Sequence, residues 1–237
     1  MPVKEMSENT AAYRLLPKQK TTLNGYRSCT KDTAKPEHKR IKITMLSAME
    51  IQTKLNQCNW QTERLNIRNF QAGDLAAELA HNKDPRIMRY IANIEDDATL
   101  EKKVREFMEP WQCDEKTWLG LAVCLRDEQT FIGIVCLRVD SLEYGRVEIG
   151  YRLHPDYHGK GYALEAANKL IDWLFMEGQA NKILAHCVTE NHPSFGLMEK
   201  LGMQKEACLR QHSTLNGRWH DEFIYGLLKT EWQSQSI

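Results

Sequence analysis

Val147-Glu148-Ile149-Gly150-Tyr151-Arg152-Leu153-His154-Pro155-Asp156-Tyr157-His158-Gly159-Lys160-Gly161-Tyr162-Ala163 reads as an apolar strand, a tight glycine turn and the start of an amphipathic helix. A turn of this kind aims several backbone N–H groups at one point. The positive end of the helix dipole lies at the same point. Such a point binds phosphate.

Two phosphate motifs can be tested on the residues. A nucleotide P-loop needs G-x-x-x-x-G-K-[ST]. Gly159-Lys160 supplies the G-K pair, but His154 stands where the first glycine belongs, and Gly161 replaces the Mg²⁺-binding hydroxyl. A dinucleotide fingerprint needs G-x-G-x-x-G. Gly159 and Gly161 match, whereas Leu164 is too bulky for the third position.

A third pattern, Q/R-x-x-G-x-G/A, falls on Asp156-Tyr157-His158-Gly159-Lys160-Gly161. Here the chain resembles the GNAT superfamily of acyl-CoA N-acetyltransferases, whose turn holds the pyrophosphate of coenzyme A. Asp156 departs from the Gln or Arg of that pattern. The departure touches a side-chain contact, not the backbone cradle. The likeness continues elsewhere. Glu63-Arg64-Leu65-Asn66-Ile67-Arg68, Asn191-His192-Pro193-Ser194 with Glu199-Lys200-Leu201-Gly202-Met203, and Asn216-Gly217-Arg218-Trp219-His220-Asp221 with Tyr225 and Glu231-Trp232 resemble the branch that acetylates N-terminal residues of ribosomal proteins. These pieces stand in the right order at domain-scale spacing.

Composition sets the bounds. The chain has 237 residues, enough for one domain plus an appendage. Lys plus Arg and Asp plus Glu both number 32, so no global basic field argues for nucleic acid. Residues 1–41 are polar, basic and aperiodic and read as a disordered extension, which leaves the remainder mildly acidic. Residues 42–61 read as a lead-in containing a short helix, and 62–232 as the acetyltransferase domain. Seven cysteines, an odd number without a C-x-x-C pair, suit a reduced, cytoplasmic protein. No apolar run reaches a membrane span, and no secretory signal opens the chain. A homodimer is left open.

Periodicity predicts a strand over 63–69, then helices after Asp74, after Asp84-Pro85, and over 97–111. Strands follow over 117–126, 130–139 and 145–153, the first two as a hairpin. The clearest helix covers 163–175 and stops at Gly178. A strand over 182–188, a short helix over 193–201 and strands over 203–210 and 220–228 complete the pattern. The class is α+β: a central mixed, mostly antiparallel sheet with helices on both faces. The fourth and fifth strands, joined through the long helix, run parallel by the crossover rule.

The resemblance implies that these two strands splay. Main-chain groups of Ile149, Tyr151 and Leu153 would then bond the pantetheine amides. His158, Gly159, Lys160, Gly161, Tyr162 and Ala163 would form the diphosphate cradle, and Asn191 would bond the pantetheine arm or cap the next helix. The implied reaction is acetyl transfer from acetyl-CoA to a primary amine, by direct attack in a ternary complex. An α-amine with pKa near 8 is roughly a tenth neutral at pH 7, a lysine amine only about 0.04%.

Glu148, flanked by Val147 and Ile149, should face away from their side, and is the candidate base. A salt-bridged strand glutamate is the plainer reading. Ser194 resembles the serine that protonates the leaving thiolate; a helix-start hydroxyl is its plainer role. Tyr225 and Asp221 are weaker pocket candidates, with core packing and turn formation as alternatives. No metal is expected, because His154 and His158 share no helical face. Two other acceptor or function classes stay open: a polyamine or aminoglycoside acceptor, and a non-catalytic acyl-CoA-binding domain.

Overall fold

Leu119–Leu125 and Phe131–Ser141 are runs of β-branched and aliphatic residues that pair as an antiparallel hairpin, and the sheet grows outward from them. The computed structural model describes residues 45–115 and 117–235. The expected disordered extension, residues 1–41, lies outside them.

In chain order the elements are α1 (Met45–Leu55), β1 (Asn59–Gln61), β2 (Leu65–Asn69), α2 (Leu75–Lys83), α3 (Pro85–Met88), α4 (Asp97–Glu106), β3 (Leu119–Leu125), β4 (Phe131–Ser141) and β5 (Arg146–Leu153). They continue with α5 (Tyr162–Met176), β6 (Lys182–Val188), α6 (His192–Lys200), β7 (Gln204–Leu215), β8 (Arg218–Leu228) and α7 (Lys229–Gln235). One open sheet of 8 strands runs β1-β2-β3-β4-β5-β6-β8-β7. Every pairing is antiparallel except β5 with β6.

Alternation decides the two faces. Leu119, Leu121 and Val123 on β3, Val135 and Leu137 on β4, and Val147 and Ile149 on β5 share one apolar cluster with Ile51 and Leu55 of α1. The same cluster takes in Leu170, Ile171 and Leu174 of α5 and Met198 of α6. Full burial of one such side chain is worth about 1.5–3 kcal/mol. The intervening residues face α2 and α4, where a smaller cluster joins Phe70, Ala122, Cys124 and Ile134 to Phe107. That second interface is partly ionic. Arg68 grips Asp74 in a two-pronged pair at 2.6 and 2.9 Å, and Arg152 pairs with the fully buried Glu78.

Several expected boundaries move. The helix expected over 97–111 stops at Glu106, because Trp111 leaves the helix to bury its indole, whose N–H donates to the Thr117 carbonyl at 3.1 Å. Asp74 precedes α2 but makes no side-chain cap bond to it; its carboxylate serves Arg68 and the Gln71 amide instead. The strands expected over 203–210 and 220–228 extend until they meet at Asn216-Gly217. Both turn residues have positive φ, 50° and 74°, as a two-residue hairpin of matching twist demands. β1 and α7 were not anticipated. Trp60 of β1 packs on Trp173, and Trp232 of α7 packs on Phe175 and donates to Asp172 at 2.8 Å. Both short elements are held by α5 rather than by their own propensity.

Candidate functional site

The parallel pairing of β5 with β6 is short. It covers Arg146–Lys182, Val147–Ile183 and Glu148–Leu184, and then stops. Beyond that point β5 pairs only with β4, through Leu153 opposite Gly133, while β6 continues beside β8 to Val188. Main-chain groups of Ile149, Tyr151 and Leu153 that point away from β4 therefore have no strand partner on the β6 side. The side chains of Ile149 and Leu153 are core residues, 3% and 5% exposed.

At the far end of β5 the chain enters the glycine turn. Gly159 and Gly161 adopt φ of 72° and 82°, left-handed values that L side chains rarely take. A Cβ on Gly159 would meet nothing within 4 Å, so that position opens to solvent. The first helical bond of α5 runs from the Glu165 amide to the Gly161 carbonyl at 3.0 Å. Among the described residues, the amides of Gly159, Lys160, Gly161, Tyr162 and Ala163 make no hydrogen bond. The His158 ring bonds the Leu153 carbonyl through Nε2 at 2.8 Å. The His158 amide donates to the Pro155 carbonyl at 3.0 Å.

Glu165, in the first turn of α5, closes the other side. One carboxylate oxygen accepts from Thr62 Oγ1 at 2.6 Å and from the Arg64 amide at 2.9 Å; the other accepts from Arg64 Nε at 2.7 Å. Burial would lift this carboxyl, but the Thr62 hydroxyl, the Arg64 amide and the guanidinium outweigh it and hold it below the usual range.

Glu148 faces away from Val147 and Ile149 as expected, toward the α2 side of the sheet. Its side chain is 12% exposed and is paired through Oε2 with Arg138, which stacks over Trp118 at 4.9 Å. The other oxygen, Oε1, makes no hydrogen bond to the described residues. Across the opening, Asn191 caps α6 by accepting from the Ser194 amide at 3.3 Å. Tyr151 reaches over from β5. Its hydroxyl donates to the Ser194 carbonyl at 2.9 Å and lies 3.3 Å from Ser194 Oγ. Burial raises the Tyr151 phenol well above its ordinary value, so it stays protonated. Cys187 is buried nearby and its thiol is pushed up to about 11 by burial, which leaves little thiolate at neutral pH.

The weaker candidates each have structural partners. Tyr225 is 2% exposed, a core residue whose hydroxyl donates to Glu199 at 3.0 Å. Asp221 accepts from the Gln211 amide at 2.8 Å and steadies the bulge in β7. Residue-by-residue reading missed Arg138, Arg64 and Glu165. The first pair was within reach, since a hairpin register sets Arg138 opposite Glu148. The second joins positions 101 apart in the chain, and no local pattern announces it.

The comparisons with known proteins close the question of family. The model described as "Acetyltransferase (GNAT) domain" matches residues 64–204, more than half of the chain. The chain belongs to the GNAT acetyltransferase family. It is 33% identical over 171 residues to the uncharacterized N-acetyltransferase YnaD of Bacillus subtilis (strain 168), covering 72% of this chain and 97% of that one. Two solved structures share the fold with TM-scores of 0.64. Spermidine N-acetyltransferase from Vibrio cholerae, in complex with CoA and spermine, is 23% identical and covers 73% of this chain and 99% of its own. Ribosomal-protein-S5-alanine acetyltransferase from Vibrio fischeri is 20% identical and covers 74% and 99%. This GNAT protein is therefore an N-acetyltransferase with the family's mixed sheet, and acetyl-CoA is the family's donor. Among its described residues no helix is long and apolar enough to cross a membrane.

One electrostatic consequence of the α2 interface is measurable. His81 is buried against Phe131 and His154, at 5.2 and 5.3 Å between ring centres. Burial, with the charges of Arg152 and His154 adding and Asp84 opposing, lowers its pKa to about 4. Between pH ~6.5 and ~4 the unfolded chain binds a proton at this position that the folded chain does not, so stability falls as pH falls. Unfolding free energies from urea titration at pH 7 and pH 5 should differ less in His81→Phe than in the parent, by about 1–2 kcal/mol. Equal differences would mean His81 titrates normally in the fold.

Proposed function

We propose that this N-acetyltransferase acts on a protein N-terminal α-amine, by direct attack in a ternary complex. The observation that carries the site is the opening between β5 and β6. It starts at Glu148–Leu184 and runs along the β6 side of β5, which has no strand partner there, toward the turn whose amides make no hydrogen bond among the described residues. The diphosphate of acetyl-CoA fits that turn, since five successive N–H groups there make no hydrogen bond among the described residues, Gly159 is open, and a helix N-terminus follows. The main chain of Ile149, Tyr151 and Leu153 takes the pantetheine amides, and Asn191 borders the same arm.

Acetyl-CoA supplies the thioester whose carbonyl the neutral amine attacks. Glu148 Oε1, the oxygen not engaged by Arg138, takes the amine proton directly or through a water. Ser194 Oγ gives its proton to the departing thiolate and is re-protonated from solvent. The Tyr151 hydroxyl, in contact with Ser194, fixes that serine across the opening. An α-amine asks least of the base, because roughly a tenth of it is already neutral at pH 7.

Isothermal titration with acetyl-CoA tests the cradle, with micromolar binding expected. A folded sample that gives no heat would end the reading. The acceptor is tested by release of free CoA thiol in a side-by-side screen of N-terminal peptides, polyamines and aminoglycosides. Turnover is expected with peptides bearing a free α-amine and lost when that amine is blocked. Turnover with spermidine alone would move the enzyme to small-molecule acceptors. Binding without thiol release from any amine would make it an acyl-CoA-binding domain.

A further inference from the structure

The carbonyl oxygens of a phosphate turn are as important as its amides. A single flipped peptide would replace an N–H by a C=O and aim negative charge at the anion. The peptide between Lys160 and Gly161 is the vulnerable one. It ends on Gly161, which has a positive φ and no Cβ, so a flip of this peptide meets less steric resistance than at its neighbours. In this chain its carbonyl is held from outside. Arg64 Nη1 donates to the Lys160 oxygen at 2.8 Å.

Arg64 is itself clamped. Its Nε and Nη2 both reach Glu165 Oε2 at 2.7 Å, and its guanidinium lies over the Tyr162 ring at 4.6 Å. A Cβ on Gly161 would come within 3.3 Å of Nη2, so the glycine also gives the guanidinium room. The planar fork thus spans two acceptors at fixed angle, one on the turn and one on the helix that follows. Lysine has a single nitrogen and cannot present that fork.

We infer that Arg64, anchored by Glu165, is a positioning residue that locks the Lys160–Gly161 peptide with its carbonyl turned inward and its neighbours' amides turned toward the diphosphate. This rests on the proposal that the turn takes the diphosphate of CoA. Charge alone makes a different prediction. Glu165 is an anion beside an anion site, so removing it should tighten CoA binding if the field were all that mattered.

The test is the affinity of CoA, measured by isothermal titration, for the parent protein, Glu165→Ala and Arg64→Lys, with a thermal melt of each. Arg64 is 42% exposed at its side chain and Lys keeps the charge, so that variant isolates the fork while the fold is retained. Both variants are expected to bind CoA at least tenfold more weakly. Pantetheine, which lacks the phosphates, should shift the melting temperature of all three proteins equally at millimolar concentration. Unchanged or tighter CoA binding by Glu165→Ala overturns the inference, as does parent-like affinity in Arg64→Lys. An equal loss of pantetheine response would show general distortion of the site and also overturns it. If the parent itself fails to bind CoA, the diphosphate reading falls first, and the lock with it.

Discussion

Replacing Glu148 by Gln is expected to lower kcat by about 10²–10⁴-fold while the KM for acetyl-CoA changes little. The substitution keeps the shape and keeps an oxygen for Arg138, so the strand pairing opposite Arg138 should survive. What disappears is the ability of the second oxygen to accept a proton. That oxygen stands at the residue where β5 and β6 last pair, at the mouth of the opening. The loss should therefore fall on the chemical step rather than on donor binding. Steady-state kinetics with the best peptide acceptor, together with acetyl-CoA titration of the variant, make the comparison. Parent-like turnover in Glu148→Gln would reduce Glu148 to the partner of Arg138. A kcat that recovers as pH is raised, where the free amine is abundant, would support the role of proton acceptor.

Gly133→Ala should be the most damaging single methyl in the fold. Gly133 sits on β4 with φ of 152°, beside the register shift between β3 and β4. A Cβ there would lie 2.2 Å from the Arg152 carbonyl oxygen and 2.7 Å from the Leu153 Cα. Both are backbone atoms of β5, so no rotamer change relieves the overlap. The strand must move. Overpacking with backbone displacement costs about 3 kcal/mol. For a domain of this size that is roughly 10 °C in melting temperature. The displaced segment leads directly into the glycine turn, because the His154 amide bonds the Ile132 carbonyl at 2.8 Å and Pro155 follows. CoA affinity should drop along with stability. A melt within 2 °C of the parent would mean that this end of β5 yields far more easily than its pairing with β4 suggests.

Much of the architecture could be read from periodicity. The helix beginning at Tyr162 was visible because Ala167, Leu170, Ile171 and Leu174 repeat at helical spacing and Gly178 stops it. Strand β6, Lys182–Val188, had the expected limits because its alternation is clean. The β1 strand was invisible because three residues carry no period, and its place depends on Trp60 finding Trp173. The end of α4 was misplaced because Trp111 continues the helical pattern while serving a loop. In the candidate site, the glycines at 159 and 161 and the orientation of Glu148 followed from local rules. The partner of Glu148 needed the β4–β5 register, and the clamp on Lys160 and the buried Arg152–Glu78 pair followed from no local rule. Ionic partners are chosen by proximity in space, and charged residues carry no periodic signature that says which one will be near.

The order of elements, the parallel step between β5 and β6, and the left-handed glycines of the turn belong to the sequence alone. Each is decided within a few residues by side-chain period, by the handedness of the crossover or by the absence of a Cβ. Only the tertiary structure decided where the parallel pairing ends and which carbonyl Arg64 holds. It also decided that, among the described residues, one oxygen of Glu148 makes no hydrogen bond. Those outcomes depend on distances between segments up to 101 positions apart, and such distances exist only once the sheet and α5 have packed.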